Sequence, residues 1–135
     1  MRPAYLLDST VLIDHLRGIE EATKWLRRLR DGEAVISVIT LAEVLCGGTE
    51  DETLAAYELC EQFECLPLTK DIATRAAELR RKSGWKLPDA FQAATALRSG
   101  LKLVTRNSGD FDEKRLNDKH NPMVRGNRSA GRRLA

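Results

Sequence analysis

Asp8 closes the apolar run AYLL and is followed by Ser9 and Thr10. Glu43 lies five residues beyond a second apolar run, AVISV; Asp89 follows Pro88 at the head of an alanine-rich stretch; Asp110 lies five residues beyond a last run, LKLVT. Carboxylates brought together without a counter-ion raise one another's pKa. A hard divalent cation removes that cost, and oxygen donors from two to four carboxylates, completed by water, suit Mg2+ or Mn2+. Such a site lowers the pKa of a water molecule and clamps phosphate oxygens, so phosphodiester hydrolysis is its natural use. No Cys, His or Lys nucleophile stands beside these acids, which leaves water as the attacking group. Asp8, Glu43, Asp89 and Asp110 are therefore the candidate catalytic and metal-ligating residues, with Mg2+ the expected cofactor and Mn2+ its substitute.

For four acids so far apart to act together, the fold must bring them to one place. Short apolar runs predict strands over 4–7, 34–38, 63–68 and 101–105; Pro67 has no N–H to give a ladder and makes the third an edge strand. Helical spacing covers 10–16, 19–30, 41–46, 52–62, 71–82 and 88–98, with Gly18, Gly32, Gly47-Gly48 and Gly84 marking ends and Pro88 a start. Apolar strands separated by helices form a parallel sheet covered on both faces. Ligands bind such sheets outside the carboxyl ends of the strands. Asp8, Glu43 and Asp110 project there, and the helix before the last strand must start at that edge, which adds Asp89.

Each acid also has a plain structural reading. Thr40-Leu41-Ala42-Glu43 has the form of a capping box. Asp89 is a favourable charge at a helix N-terminus. Asp110, in NSGDF, suits a turn, and Asp8 suits an N-cap. Singly these are weak signals; their shared position at one sheet edge carries the argument.

The bulk properties agree with an enzyme of one domain. The chain has 135 residues, 42% of them hydrophobic and only 5% aromatic, so its core is built from Leu, Ile, Val and Ala. Charged residues make up 31%, no apolar run approaches the roughly 20 residues of a membrane span, and MRPAYLLDST lacks a signal-peptide pattern, which together predict a soluble cytoplasmic protein. Cys46, Cys60 and Cys65 form no C-x-x-C pair and are expected as small buried hydrophobes in a reducing compartment. Net charge is +2, but Lys119, Arg125, Arg128, Arg132 and Arg133 follow Asp118 with no acid among them, which leaves −3 on the rest. The expected division is a catalytic domain over 1–118 and a basic, flexible tail over 119–135. Arg17 and Arg106 near the active edge are candidates to meet phosphates, and Trp85 a candidate to stack on a base. His15 is expected as a surface residue.

The blocks LLDSTVLIDHLRG, ISVITLAEVLCG, KLPDAFQAATAL and LVTRNSGDF resemble, in order and spacing, the motif blocks of the PIN domain, and more narrowly the VapC-like toxins of type II toxin–antitoxin systems. The resemblance covers residues 4–112. It implies a three-layer α/β/α sandwich on a mostly parallel sheet of four to five strands, and a metal-dependent ribonuclease whose motif acids fall on Asp8, Glu43, Asp89 and Asp110. It also implies supporting roles for Ser9, Thr105 and Asn107, a homodimer, and a cognate antitoxin laid across the active-site groove. Such proteins often end in a further short strand, for which residues 122–124 are the one candidate here. Two alternatives remain beside it. An Asp-dependent phosphatase resembling the haloacid dehalogenases would want an acid two residues after Asp8, where Thr10 stands. A non-catalytic PIN-like module for binding RNA or protein would be expected to lack one of the four acids.

Overall fold

The computed structural model describes residues 2–106. Within them the order is β1 (Tyr5–Leu7), α1 (Ser9–Leu16), α2 (Glu20–Arg27), β2 (Ala34–Ser37), α3 (Val38–Leu45), α4 (Glu50–Cys60), β3 (Glu64–Leu66), α5 (Lys70–Ser83), α6 (Leu87–Ser99) and β4 (Lys102–Val104). Asn107, Asp110, the candidate strand at 122–124 and the basic tail lie outside the described residues.

All strand pairs are parallel, in the order β3-β2-β1-β4, so β3 is an edge strand as Pro67 required. Side chains alternate across the sheet and separate the core into two layers. Leu6, Val35 and Leu103 face Ile72, Ala76 and Leu79 of α5 and the buried alanines of α6. Leu7, Ile36 and Val104 face Val11 and Leu12 of α1, Trp25 of α2, Val44 of α3 and Leu59 of α4. The result is the expected α/β/α sandwich. Its sheet runs outward from β1 to β2 and β3, then resumes with β4 on the other side of β1. That reversal opens a crevice at the carboxyl ends of β1 and β4, the place where open α/β sheets take ligands.

Two element boundaries differ by three residues from the sequence expectation, the others by no more than two. Helix α3 begins at Val38, directly after β2, because Ser37 is extended (φ −99°, ψ 167°) and its side chain caps the Thr40 N–H. The β-branched pair Val38-Ile39 disguises this start. Helix α2 stops at Arg27, and the amides of Arg28 and Leu29 bond three residues back, tightening the chain out of the helix. The α5–α6 hairpin turns at Gly84, whose φ of 71° is left-handed and favours glycine.

Three side chains are placed differently from expectation. Trp85 is 4% exposed and belongs to the core beneath α5 and α6, so it is no base-stacking platform. Of the cysteines, all free, only Cys60 is buried; Cys46 and Cys65 are exposed because they fall at a helix end and on the edge strand. Among the described residues no helix is long and apolar enough to cross a membrane.

Candidate active site

Asp8 sits where β1 hands over to α1. Its own N–H donates to Val104 O at 2.9 Å, tying it to the end of β4, and its extended backbone (φ −75°, ψ 156°) makes it the N-cap of α1. The residue is 5% exposed. Its Oδ2 accepts from Thr10 Oγ1 at 2.8 Å, from the Thr10 N–H at 3.4 Å and from Thr105 Oγ1 at 2.8 Å. Its Oδ1 accepts from Gln92 Nε2 at 3.3 Å. Capping and site membership thus fall on one carboxylate: Oδ2 serves the cap and the threonines, while Oδ1 keeps acceptor capacity. A buried carboxylate is stable when several donors hold its charged form.

Glu43 lies on α3, one turn in from its start. The capping-box reading is corrected here. Ser37 is the N-cap and its Oγ accepts the Thr40 N–H at 3.3 Å, so Glu43 has no cap to complete. Its Oε1 instead accepts from Ser9 Oγ at 3.0 Å. Burial and the charge of Asp8 push the Glu43 carboxyl above the ordinary glutamate value, and the Ser9 hydrogen bond works against them. Asp8 and Glu43, far apart in sequence, therefore share one electrostatic neighbourhood, with Ser9 between them.

Asp89 stands in the first turn of α6, half-buried, after Pro88. Gln92 is three residues on, hence on the same side of the helix, and it reaches Asp8. The α6 N-terminus is in this way drawn to the Asp8 edge. Among the described residues no three acid, histidine or cysteine side chains are gathered as a ligand set, so Asp89 does not close a triad with Asp8 and Glu43. Asp110 and Asn107 lie outside the described residues. Ser9 and Thr105 sit as supports, one on Glu43 and one on Asp8.

The basic and aromatic candidates are less engaged with the site. Arg106 donates its N–H to Thr10 Oγ1 at 3.0 Å and its Nε to the buried Asp14 at 2.8 Å, which makes it a brace between the end of β4 and α1. His15 shares a 2.7 Å hydrogen bond with Thr23, joining α1 to α2. Arg17 lines a groove of about 250 Å3 with Ile13, Leu16, Val44 and Ala56.

Four polar residues around Asp8 escaped sequence reasoning: Thr10, Ser37, Thr40 and Gln92. The last had a signal. Gln92 is a lone amide among the buried alanines of FQAATAL, and a polar side chain at a core position of a helix must find partners.

The residues present fit a hard divalent cation. The donor set is oxygen only, Asp8 Oδ1 is not saturated, and Glu43 carries a charge that its surroundings disfavour.

Comparison with known proteins follows from this geometry. The sequence profile of the PIN domain matches residues 5–116. "Ribonuclease VapC10" of Mycobacterium tuberculosis is 38% identical over 112 residues, which are 78% of this chain and 84% of that protein. A toxin–antitoxin complex from Klebsiella pneumoniae contains a chain with 35% identity and a TM-score of 0.74, covering 80% of this chain and 90% of that one. VapBC-5 from Mycobacterium tuberculosis, a member of the VapBC family of toxin–antitoxin systems, has 30% identity and a TM-score of 0.58 over 87% of this chain and 94% of that one.

Proposed function

The chain belongs to the PIN domain family, and on that premise we propose that it is a metal-dependent endoribonuclease acting as the toxin of a toxin–antitoxin pair. The observation that carries this reading is the placing of Glu43 beside Asp8 at the carboxyl edge of β1, where Ser9, the residue after Asp8, donates to Glu43 and the sheet order reverses. Asp8 and Glu43 would hold the cation, Mg2+ with Mn2+ as substitute; Asp89, which does not close a triad with them here, and Asp110 would complete the set. When bound, the cation lowers the pKa of a water molecule and offsets charge developing on the phosphodiester.

The protein's own groups do the rest. Asp8 presents Oδ1 from a carboxylate whose plane is fixed by the donors on both its oxygens. Glu43 would orient the attacking water and accept its proton. Water adds to phosphorus, the bond to the 3′ oxygen breaks, and that oxygen leaves as a hydroxyl. The products carry a 5′-phosphate and a 3′-hydroxyl. Ser9 and Thr105 keep the two carboxylates in place, and Asn107 supports them.

The partners are an RNA substrate, a cognate antitoxin and a second copy of the chain, in the cytoplasm. Apolar surface suits a protein partner: Leu54 and Tyr57 are exposed on α4, and the groove beside Arg17 opens between α1, α3 and α4. The Asp-dependent phosphatase gains no support, since Thr10 spends its hydroxyl on Asp8 where such an enzyme needs an acid.

The test is cleavage of a structured RNA by purified protein. Cleavage is expected with Mg2+ or Mn2+ and should stop with chelator. Cleavage that persists in chelator, against a nuclease-free control, overturns the mechanism.

A further inference from the structure

Gln92 is 1% exposed, and its carbonyl oxygen and both its N–H donors are engaged within the protein. Its Oε1 accepts from Ser37 Oγ at 2.7 Å, and its Nε2 donates to Thr40 Oγ1 at 2.6 Å and to Asp8 Oδ1 at 3.3 Å. Thr40 Oγ1 in turn donates to Leu7 O at 2.9 Å, and Ser37 Oγ takes the Thr40 N–H. The buried neighbours on the same helix are Ala90, Ala93, Ala94 and Ala96. An apolar side chain of similar length would fill this place without the cost of desolvating an amide. The amide fixes geometry that an apolar chain leaves free.

What it fixes is specific. Two of its three partners are an acid or stand a turn from one: Asp8 is bonded directly and Thr40 is three residues from Glu43, while Gln92 itself is three residues from Asp89. Rotation of α6 or α3 about its axis would move its acid and stretch a bond to Gln92 together. The bond to Oδ1 also sets the plane of the one carboxylate oxygen left open to a ligand.

We propose that Gln92 is a positioning residue that locks α6 and α3 against Asp8, fixing how Asp8 and Glu43 are presented to a divalent cation. This rests on the metal-site reading above. Groups that orient ligating side chains typically change metal affinity by about 10–100-fold when removed.

The experiment measures Mn2+ binding to the full chain by titration, without RNA. Gln92→Met keeps the length and removes the hydrogen bonds; its affinity should fall by about 10–100-fold. Thr95→Ala is the control, since Thr95 is equally buried on α6 but its hydroxyl bonds only Phe91 O within the helix, and its affinity should match the unaltered protein. In the unaltered protein, the Gln92 side-chain amide resonances should shift with Mg2+ in step with binding. Equal affinity for Gln92→Met and the unaltered protein overturns the proposal alone. If Gln92→Met does not fold, amide resonances unmoved at saturating Mg2+ overturn it instead. An unaltered protein that binds no Mn2+ overturns both this inference and the metal site it rests on.

Discussion

Replacing Glu43 by Gln removes a charge while leaving the local structure almost intact. Glu43 makes one described hydrogen bond, from Ser9 Oγ to Oε1 at 3.0 Å, and a glutamine oxygen can accept it. A bond to a charged acceptor is worth about 1.5–3 kcal/mol and a neutral one about 0.5–1.5, so weakening it costs on the order of 1 kcal/mol. Against that stands relief from partial burial and from the charge of Asp8, both of which disfavour the ionised Glu43. No cap is lost, because Ser37 caps α3. The net change should stay within about 1 kcal/mol, or no more than about 6 °C in the melting temperature. Activity at saturating Mg2+ should nonetheless fall by roughly 10²-fold or more, because a proton acceptor and a charged ligand have gone. The pH dependence of the metal-free melt follows from the raised pKa. The stability that protonated Glu43 contributes is fully present below its ordinary value of 4.5 and is lost as pH rises through the higher folded value. Between acid and neutral pH the unaltered protein should therefore lose ground to Glu43→Gln. RNA cleavage measured beside a thermal melt checks both halves. A fully active Glu43→Gln would refute the reasoning and confine the catalytic set to the aspartates.

Asp89→Asn should abolish cleavage while the fold survives, read from a melt beside the RNA assay; a normally active variant would remove Asp89 from the catalytic set. Asp8→Asn should abolish cleavage too, but with a stability loss of roughly 1–3 kcal/mol, since the amide cannot receive all the donors now on Oδ1 and Oδ2. An unshifted melting temperature would show those bonds to be weak. Deleting residues 119–135 should spare cleavage chemistry and, with five positive charges removed, flatten the salt dependence of RNA binding; an unchanged slope would make that segment a passive extension.

The layers of the fold were legible because parallel strands buried on both faces read as short apolar runs, and AYLL, AVISV and LKLVT each became a strand. Gly84 and the pattern of Ile72, Ala76 and Leu79 placed α5 and its turn with the same ease. What misled was chemistry shared between states. Val38-Ile39 favours a strand by β-branching, yet Ser37 starts a helix there, and that one shift moved the cap and removed the reason to read Glu43 as part of it. Trp85 resembled a loop aromatic until the α5–α6 hairpin folded over it. Position alone singled out Asp8 and Glu43, which the fold sets side by side, but not the side chains around Asp8. Gln92, Thr40 and Thr10 gave no sign in the sequence of meeting at Asp8, and only tertiary packing brings them there.

The two carboxylates that the fold pairs are prepared for a cation in opposite ways. Asp8 is almost wholly buried, yet its charge is met by Thr10, Thr105 and Gln92 before any cation arrives. Among the described residues the Glu43 carboxylate has only Ser9 as a donor, and desolvation and Asp8 both press on it. Binding a cation changes little at Asp8, which is already held in geometry and charge. At Glu43 it removes a standing penalty, so more of the favourable electrostatics of binding is released there. The arrangement divides the work: one acid supplies a rigid anchor at the end of β1, and the other remains a group whose proton can move. That division matches hydrolysis, which needs a fixed site for the phosphate and a base close beside it. It also gives Ser9 its place, holding Glu43 at reach while its neighbour Asp8 is held by Thr10, Thr105 and Gln92.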